Sequence, residues 1–500
     1  MNLSDWIERQ AAFLPDKVAT HFEGWAITYE TFALQIRSMA RGLKGKIGIG
    51  PGDRVAFLGY NSPIFLTLVF ATARLGAMVV PLNWRLAAPE HDYILADAGA
   101  TALFVERDFQ AGIEEIRADH PDCRLIAVDF EAPGWTPIDA LGAAIGDDAN
   151  PGVGYEAPHL IIYTSGTTGR PKGAVLSQEA LFWNAVNSTH LHDLTSQDVV
   201  LTALPLFHVG GLNNQTLPAF HAGATVVLQP RFEPAATLAA IEAHGATLVV
   251  LVPATIQAII DLPEWPSRDI SSLRSMSTGS SVVPRHLIEA FHVRGVPVLQ
   301  IYGTTETAPI AAYLRAEDAA AKLATAGKAA LHSEVRIVDD VGTVVGPGVA
   351  GEIQVKGRHV MTEYWNNPDA TAESLRDGWF LTGDIGEWDA DGFLVVKDRK
   401  SDVIISGGEN VYPAELELVL HTIDGVAEAA VVGRADQRWG EVPVAMVVPA
   451  AGRSLDATAI IAAFEGRLAR FKHPHEVIFR ESLPRNAMGK VQKFVLQDMI

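Results

Sequence analysis

The sequence has very little cysteine and no long apolar run. Cys123 is its single cysteine. A lone cysteine cannot form an internal disulfide or a cysteine-rich zinc site, so we expect a reducing compartment and a metal, if any, held by oxygen. The two most apolar stretches, 64–82 and 247–260, are interrupted by Arg74 and by Pro253. Neither is predicted to span a membrane.

The N-terminal residues also lack the features of a secretory signal. The first ten residues carry acidic side chains and contain no long apolar segment. A secretory signal combines a basic start with an apolar core. We therefore expect the protein to act in the cytoplasm.

Positive charge is scarce as well. The chain has 39 Lys and Arg against 59 Asp and Glu, which gives a net charge of −20. A surface with this excess repels nucleic acid and anionic membranes, so broad polyanion binding is excluded. The composition is 48% apolar and 20% charged, which is typical of a globular protein and not of a disordered or fibrous one.

Short apolar runs alternate with helical patterns over most of the chain. Residues 54–59 and 77–82 are typical of buried strands, and a helical pattern covers 63–75 between them. The alternation resumes from 159 to about 330, whereas 331–398 carries short alternating strands separated by turn residues. We predict an α/β fold with stacked α/β sheets, a small β-rich region and a compact α+β C-terminal part.

The predicted domain boundaries follow these changes of pattern. A large N-terminal domain is expected at residues 1–400, with subdomains at about 1–158, 159–330 and 331–400. A small C-terminal domain is expected at residues 401–500. In that domain we predict helices at 413–420 and 457–468 and strands at 429–432 and 444–448.

A loop rich in hydroxyls and glycines follows the apolar strand 159–163. It reads Thr164-Ser-Gly-Thr-Thr-Gly-Arg-Pro-Lys-Gly173. Glycines let backbone N–H groups approach an anion, hydroxyls donate hydrogen bonds to it, and Lys172 supplies a positive charge. The loop differs from a Walker loop, because Lys172 is not followed by Ser or Thr and the spacing differs. We predict that the loop binds phosphate.

This loop resembles the signature of the adenylate-forming superfamily. That superfamily includes the acyl-CoA and aryl-CoA synthetases, the adenylation domains of peptide synthetases and firefly luciferase. The resemblance covers residues from about 5 to 497, because further motifs of the superfamily follow in order. They are Pro205-Leu-Phe-His208, Ser277-Thr-Gly-Ser280, Tyr302-Gly-Thr-Thr-Glu306, Trp379-Phe-Leu-Thr-Gly-Asp384, Asp398-Arg399, Ile405-Ser-Gly-Gly-Glu-Asn-Val-Tyr-Pro413 and Pro484-Arg-Asn-Ala-Met-Gly-Lys490.

The resemblance implies an AMP-forming acyl-CoA synthetase, an acid–thiol ligase. Such an enzyme joins a carboxylic acid to ATP, giving acyl-AMP and pyrophosphate, and CoA then displaces AMP. The resemblance implies ATP and CoA as co-substrates, Mg²⁺ as cofactor, and catalysis mostly by positioning and by stabilising charge on the phosphates. It also implies a mobile C-terminal domain that rotates between the two steps.

The resemblance also assigns the nucleotide and metal ligands. Glu306 is expected to bind Mg²⁺, and Thr305 to contact the α-phosphate. Asp384 is expected to take both ribose hydroxyls, beside Arg399. A carboxylate is also the ligand that Mg²⁺ prefers on chemical grounds. The rest of the expected ATP and AMP site consists of Thr164, Ser165, Gly166, Thr167, Thr168, Gly169, Lys172, Gly279, Ser280, Ser281, Tyr302, Gly303 and Thr304.

Further assignments by resemblance fall in the last hundred residues. Lys490 is the expected catalytic lysine of the first step, and its acetylation would remove the charge and stop adenylation. The hinge between the domains is placed at Ser401. His473 and His475 stand where a more basic pattern is common, so their contact with the CoA nucleotide is left open. The residues expected to bind CoA are Gly407, Gly408, Trp439, Phe471 and Lys472.

Local charge in this region differs from that of the whole chain. Residues 465–493 contain seven Lys or Arg and three Glu, which gives 7 − 3 = +4. We therefore expect this segment to attract the polyanions ATP and CoA.

The expected acyl pocket is apolar. By resemblance it is formed by His208, Val209, Gly210, Val250, Gly303, Pro309 and Ile310. His208 is assigned a catalytic role beside the bound carboxylate, although a histidine among apolar residues is more often part of the core. These residues include no cation to meet a second carboxylate, which favours a fatty or aromatic monocarboxylic acid. The choice between chain and ring is left open.

The sequence alone does not exclude two other activities. A luciferase-like monooxygenase shares the fold, and an acyl-AMP ligase would load a carrier protein. No carrier segment is expected after Lys490. The predicted partners are the carboxylic acid, ATP and CoA, without nucleic acid, and the enzyme is expected to be a monomer or a homodimer.

Overall fold

The computed structural model describes residues 1–142, 144–164, 171–280, 283–407, 409–485 and 489–500. The chain forms two compact units. We call Met1–Val335 with Val355–Phe380 the N-terminal unit, and Arg336–Gln354 with Leu381–Ile500 the C-terminal unit. The C-terminal unit includes residues 336–354 and 381–400, which lie before the boundary expected at residue 400. That boundary and its hinge stay predictions.

The α-helices of the described residues are short to medium in length. They are α1 (Ser4–Phe13), α2 (Tyr29–Gly42), α3 (Pro63–Leu75), α4 (Ala88–Ala98), α5 (Gln110–Ile116), α6 (Asp139–Gly142), α7 (Gln178–His192), α8 (Val209–Gly211), α9 (Leu217–Ala222), α10 (Pro234–His244), α11 (Pro253–Ile260), α12 (Arg285–His292), α13 (Pro368–Ser374), α14 (Pro413–Leu420), α15 (Ala457–Ala462) and α16 (Lys493–Gln497).

The strands are listed in chain order. They are β1 (Val18–Phe22), β2 (Trp25–Thr28), β3 (Arg54–Leu58), β4 (Met78–Pro81), β5 (Ala102–Val105), β6 (Arg124–Ala127), β7 (Thr136–Pro137), β8 (Pro158–Thr164), β9 (Lys172–Ser177), β10 (Val199–Thr202), β11 (Thr225–Leu228), β12 (Leu248–Val250), β13 (Ser275–Thr278), β14 (Val298–Tyr302), β15 (Ala312–Tyr313), β16 (Lys328–Ala329), β17 (Glu334–Val338), β18 (Gly351–Lys356), β19 (Glu363–Tyr364), β20 (Leu375–Arg376), β21 (Trp379–Trp388), β22 (Leu394–Arg399), β23 (Ile404–Ser406), β24 (Glu409–Val411), β25 (Val426–Asp436), β26 (Gly440–Pro449) and β27 (Glu476–Phe479).

Local sequence determines where the predicted helix at 63–75 begins and ends. The Ser62 hydroxyl accepts a hydrogen bond from the Phe65 N–H, and Pro63 occupies the first turn. Gly76 adopts the left-handed conformation that ends α3. The helix therefore matches the predicted bounds.

The first large sheet of the N-terminal unit has eight strands in the order β19-β9-β8-β4-β3-β5-β6-β7. Strands β8, β4, β3, β5, β6 and β7 run parallel, while β9 and β19 add antiparallel pairs at one edge. The hairpin of β8 and β9 carries the predicted phosphate loop between its strands.

The second large sheet has nine strands in the order β16-β15-β14-β13-β12-β10-β11-β1-β2. Strands β14, β13, β12, β10, β11 and β1 run parallel. The carboxyl ends of parallel strands lie at one edge of a sheet, and ligands bind at this edge in open α/β sheets.

Helices between these two sheets form the largest apolar core. Phe32 of α2, Phe70 of α3 and Phe220 of α9 contact one another, with ring centroids 5.3 to 5.9 Å apart. Leu160 of β8 and Val226 of β11 belong to the same buried cluster. The core therefore joins both sheets of the N-terminal unit and fixes the edges that carry the site.

The long hairpin of β25 and β26 is the centre of the C-terminal unit. Val431 and Ala445 face a core shared with α14 and α15. The alternate residues Val432 and Met446 face a second core that includes Leu496 of α16. This alternation follows the two-residue period of a strand. The sheet has the order β24-β23-β26-β25 with β27 beside β26, and a further sheet has the order β17-β18-β21-β20 with β22 beside β21.

One predicted helix is longer than the observed one. The prediction covers 457–468, but α15 ends at Ala462 and the chain continues in tight turns. Gly466 adopts a left-handed conformation there, with φ of +71°. The other predicted helix of this region matches α14, and the predicted strands lie within β25 and β26. None of the described helices is long and apolar enough to cross a membrane.

Candidate active site

Several predicted site residues follow parallel strands of the nine-stranded sheet. Val250 ends β12, Tyr302 ends β14, and Gly279 with Ser280 follows β13. His208 lies in the loop after β10. Since these strands are parallel neighbours, their carboxyl ends lie at one edge of the sheet. The N-terminal unit therefore gathers the predicted adenine and acyl-pocket residues at that edge.

Close backbone packing joins the two groups of residues. A Cβ on Gly303 would lie 1.5 Å from the carbonyl oxygen of Pro309, so only glycine fits. The Thr307 hydroxyl donates a hydrogen bond of 3.2 Å to the same carbonyl. The Ile310 N–H donates to the Asn184 side chain of α7 at 3.1 Å. These contacts hold Gly303, Pro309 and Ile310 as one wall.

The ends of the predicted phosphate loop are fixed by the hairpin of β8 and β9. Thr164 lies directly opposite Lys172 in the register of the two strands. The Tyr163 hydroxyl, one residue earlier, donates a hydrogen bond of 2.5 Å to Asp97. Seven predicted site residues lie outside the described part of the chain: Ser165, Gly166, Thr167, Thr168, Gly169, Ser281 and Gly408.

Tyr364 links the lysine of this hairpin to the predicted metal ligand. Its hydroxyl donates a hydrogen bond of 2.8 Å to Oε1 of Glu306. The Lys172 ammonium lies 5.4 Å from the centroid of the Tyr364 ring, a cation–π contact. Strand β19 places Tyr364 there, because it pairs with β9. Tyr364 was not predicted from the sequence, because it lies in a two-residue strand and outside every quoted motif.

Glu306 and its neighbours fit a Mg²⁺–nucleotide site. Glu306 and Thr305 are both buried, and the buried hydroxyl of Thr304 has no hydrogen-bond partner in the described structure. No group of three or more His, Cys, Asp or Glu that could hold a metal occurs among the described residues. Mg²⁺ in ATP-dependent enzymes is commonly held by one or two carboxylates together with substrate phosphates and water. A single carboxylate near Lys172 suits this kind of coordination.

The predicted ribose ligands are paired in the C-terminal unit. Asp384 of β21 lies directly opposite Arg399 of β22, and the Arg399 Nε donates to its Oδ1 at 2.7 Å. Asp384 lies within β21, although a glycine directly precedes it. The strand continues through Gly383, whose carbonyl accepts a hydrogen bond of 2.8 Å from the Lys400 N–H. Asp384 is therefore held in a ladder and is buried.

Lys490 lies near this pair. Its pKa is lowered from the ordinary value, first because neighbouring atoms screen the ammonium from water and then because Arg399 repels it. Asp384 and Asp402 act in the opposite direction. The C-terminal unit therefore brings Lys490, Asp384 and Arg399 together. The predicted hinge residue, Ser401, is exposed in a turn and donates a hydrogen bond of 2.9 Å to Asp402.

Two of the predicted CoA residues contact each other. The Gly407 N–H donates to the Trp439 carbonyl at 2.7 Å, and a Cβ on Gly407 would lie 3.0 Å from the indole ring. Trp439 and Phe471 are 42% and 41% exposed, so both present apolar surface to solvent. Lys472 forms an ion pair of 2.6 Å with Glu415. Gly407 therefore contacts Trp439, whereas Lys472 is paired with Glu415.

Of the two histidines left open on the sequence, His473 has a structural contact through its ring. A ring nitrogen of His473 lies 2.9 Å from the Leu468 carbonyl oxygen, and its ring is 5.8 Å from that of the buried Phe464. His473 therefore anchors the segment that follows α15.

His208 is uncharged at neutral pH. Burial lowers its pKa to about 4, and the guanidinium of Arg85 acts in the same direction. Its Nδ1 accepts a hydrogen bond of 3.0 Å from the Gly210 N–H. Arg85 belongs to none of the quoted motifs, and its guanidinium lies 4.5 Å from the centroid of the Trp84 ring. His208 can therefore offer hydrogen bonds to a substrate but not an ion pair.

A small cavity lies beside two residues of the predicted acyl pocket. It has a volume of about 10 Å³, and its lining includes Gly210 and Val250 of that pocket. Gln215 also lines the cavity, and its buried side-chain oxygen and nitrogen have no hydrogen-bond partner in the described structure. Gln215 lies in the π-helical turn Leu212–Thr216, which belongs to none of the quoted motifs. The sequence offered no signal for it.

Comparison with protein families gives two matches. The family described as AMP-binding enzyme matches residues 7–365. The family described as AMP-binding enzyme C-terminal domain matches residues 415–490. Together they cover most of the chain.

Individual relatives extend over its full length. The chain is 53% identical over 502 residues to an indoleacetate–CoA ligase of Aromatoleum aromaticum, covering 100% of this chain and 98% of the relative. It is 42% identical over 491 residues to a feruloyl-CoA synthase of an Amycolatopsis species, covering 98% and 97%.

A solved relative has the same fold. The o-succinylbenzoate CoA synthetase of Bacillus subtilis, in complex with its acyl-adenylate intermediate, has a TM-score of 0.89 and 34% identity, covering 100% of this chain and 99% of that one. The same enzyme is also solved with ATP and magnesium ion, with a TM-score of 0.88 at 33% identity, covering 100% of both chains.

These comparisons confirm the predicted fold class, reaction and use of ATP, Mg²⁺ and CoA, while the roles of single residues stay predictions. The enzyme is an acid–thiol ligase that activates a carboxylic acid as acyl-AMP and then transfers the acyl group to CoA. The chain therefore belongs to the AMP-binding enzyme family, among its ATP-dependent acyl-CoA synthetases.

Proposed function

We propose that this synthetase acts on an arylacetic acid, with indole-3-acetic acid as the first candidate. The observation that carries the proposal is the 53% identity, over the whole chain, with a relative named for indoleacetate. The relative at 42% identity is named for another aromatic acid. Both names favour an aromatic ring over an aliphatic chain.

The pocket residues support a neutral, apolar substrate body. Val209, Val250 and Ile310 are each less than 10% exposed. His208 is uncharged at neutral pH, as its lowered pKa shows. An aromatic ring gains free energy from burial against such side chains.

For adenylation we propose that the N-terminal unit holds the phosphates. Lys172 and the hydroxyls of the preceding loop would bind the β- and γ-phosphates, and Thr305 would contact the α-phosphate. Glu306 would hold Mg²⁺, with its carboxylate oriented by the Tyr364 hydroxyl. When bound, Mg²⁺ supplies positive charge that stabilises the negative charge developing on the phosphates.

We propose that the C-terminal unit supplies a different group in each step. Lys490 would stabilise the carboxylate and α-phosphate oxygens while the acyl–phosphate bond forms. In the second step the CoA thiolate would bond to the acyl carbon as the bond from that carbon to AMP breaks. Gly407 and Trp439 would line the path of the thiol, with the turn at Ser401 as hinge.

The predicted nucleoside contacts complete this proposal. Asp384 would bind the ribose hydroxyls, with Arg399 beside it, and Tyr302 would stack on the adenine next to Gly279 and Ser280. The Asp384 carboxylate already accepts a hydrogen bond from Arg399. Arg399 therefore holds the carboxylate in position for the ribose.

Location and assembly are also part of the proposal. A single cysteine suits a reducing compartment, so we place the enzyme in the cytoplasm. We propose a monomer or a homodimer, which light scattering coupled to size exclusion would distinguish.

A panel of carboxylic acids tests the proposed function. AMP release is measured with and without CoA for indole-3-acetic, phenylacetic, ferulic and octanoic acids. We expect CoA-dependent AMP release with the highest kcat/KM for an arylacetic acid. A higher kcat/KM for octanoic acid would refute the aromatic assignment. AMP release that never depends on CoA, or that depends on a carrier protein or on oxygen, would reveal one of the alternative activities.

A further inference from the structure

Gln215 has a side chain whose hydrogen-bonding capacity is unused. The residue is 2% exposed, and neither its Oε1 nor its Nε2 has a hydrogen-bond partner in the described structure. A buried amide without partners costs free energy, so proteins satisfy nearly all such groups. A buried amide of this kind is therefore expected to meet a partner from outside the protein chain, either an ordered water or a group of a ligand.

The polar neighbours of Gln215 in the cavity are already satisfied. The hydroxyls of Thr202 and Thr216 lie 2.8 Å apart and form a hydrogen bond with each other. The Thr216 hydroxyl also lies 2.7 Å from the Gly211 carbonyl oxygen, to which it donates. Both threonines line the same cavity as Gln215. The unpaired amide is therefore the polar group in this lining that still needs a partner.

The size and position of the cavity restrict the occupant. A volume of about 10 Å³ accepts a group the size of one water molecule. Its lining includes Gly210 and Val250, which belong to the predicted acyl pocket. A substrate ring in that pocket would therefore present one ring heteroatom or small substituent to Gln215.

We infer that Gln215 determines specificity by accepting a hydrogen bond from an N–H or O–H group on the ring of the aromatic acid. The inference rests on the proposed function, because it needs a ring in the acyl pocket. It extends that proposal by naming the substrate class: aromatic acids with a hydrogen-bond donor on the ring, such as the indole N–H. Analogues without the donor would leave the amide unpaired and bind less well.

The test compares two substrates that differ at one atom. Indole-3-acetic acid carries the ring N–H, and 1-benzothiophene-3-acetic acid has sulfur in its place. For the wild type we expect kcat/KM to favour the indole by about 10- to 100-fold, the usual effect of leaving a buried polar group unpaired. Gln215→Met keeps the length of the side chain without the amide, and we expect its preference to fall to within about threefold of unity, mainly through KM.

Asn214→Leu is the matched control. Asn214 lies in the same turn and has an unpaired, buried side-chain oxygen, but it does not line the cavity. We expect this variant to keep the preference for the indole. If Asn214→Leu loses the preference as Gln215→Met does, the effect belongs to the turn and the inference is refuted.

Melting of the substrate-free proteins provides a second readout. Replacing an unpaired buried amide by an apolar side chain should leave the melting temperature unchanged or raise it. A lower melting temperature of Gln215→Met would indicate a structural role and would overturn the inference.

The outcomes separate the inference from the proposed function. If the wild type turns over arylacetic acids but Gln215→Met keeps the indole preference, the role of Gln215 is refuted and the proposed function stands. If the wild type turns over neither substrate while it accepts aliphatic acids, the proposed function fails and the inference fails with it.

Discussion

Replacing Tyr364 by phenylalanine should weaken adenylation through Glu306. The Tyr364 hydroxyl donates a hydrogen bond of 2.8 Å to the buried Glu306 carboxylate. Phenylalanine keeps the ring below the Lys172 ammonium, so the cation–π contact at 5.4 Å is retained. The substitution therefore changes the hydroxyl and little else.

The expected magnitude follows from this hydrogen bond. A buried hydrogen bond to a charged group contributes about 1.5–3 kcal/mol, which corresponds to roughly 10- to 150-fold in a rate or binding constant. Loss of a group that orients a metal ligand usually costs about 10- to 100-fold in metal affinity or activity. We therefore expect acid-dependent pyrophosphate exchange by Tyr364→Phe to fall by about 10- to 100-fold, and the half-saturating Mg²⁺ concentration to rise.

The control is a second buried tyrosine. The Tyr29 hydroxyl donates a hydrogen bond of 2.6 Å to the Ala224 carbonyl, within the core of the N-terminal unit. Tyr29→Phe should lower stability without changing the Mg²⁺ dependence of exchange. Thioester formation from supplied acyl-AMP should stay nearly unchanged in Tyr364→Phe. Exchange within twofold of wild type, or an equal loss in both half-reactions, would refute the assignment of Tyr364.

Four further predictions concern separate parts of the molecule. Lys490→Ala should reduce pyrophosphate exchange by about 10² to 10³-fold while thioester formation from supplied acyl-AMP persists, and equal losses would contradict its role. Ser401→Pro fixes φ at the predicted hinge and should slow thioester formation more than adenylation in the same two assays. Gly303→Ala would place a Cβ 1.5 Å from the carbonyl oxygen of Pro309, so we expect a lower melting temperature. An unchanged melting temperature would show that the loop relaxes. Burial lowers the pKa of both His159 and His192 to about 4, from an ordinary value of 6.5. The unfolded state then binds more protons between those values, so the free energy of unfolding, measured with urea, should fall as pH drops from about 6.5 to 4. A free energy of unfolding that stays level over this range would contradict the lowered pKa values.

Helix bounds were predictable where the chain carries its own stop signals. Ser62, Pro63 and Gly76 cap α3, and they determine both ends without help from distant residues. The helix expected at 457–468 contains a left-handed glycine, Gly466, but α15 already ends at Ala462, before that glycine. Its apolar pattern continues beyond Ala462, where the chain instead turns and buries Phe464 in the core. Tertiary packing determined that end, and periodicity alone does not show it.

Residues within motifs were predictable for a related reason. Gly303 and Gly407 stand where other atoms approach the backbone closely, so the residue type itself records the geometry. Tyr364 and Gln215 are different, because their surroundings are created by distant segments. The position of Tyr364 depends on the pairing of β19 with β9. The unpaired amide of Gln215 depends on which distant residues surround it. Neither condition is written in the local sequence.

The charge of segment 465–493 is a further case in which local sequence does not show the contacts made with distant residues. Its count of +4 treats the segment as a free basic patch. In the fold, Lys472 pairs with Glu415, Arg485 with Glu428, and Lys493 with Glu417, and all three carboxylates lie outside the segment. One glutamate of the segment, Glu476, pairs in turn with the external Arg434, so the excess falls from +4 to 4 − 3 + 1 = +2. Long-range attraction of ATP and CoA is therefore weaker than the count suggests. Recognition of ATP and CoA must therefore depend mainly on groups that contact them directly. For this reason, a substitution such as Lys490→Ala should affect a single reaction step and not nucleotide binding in general.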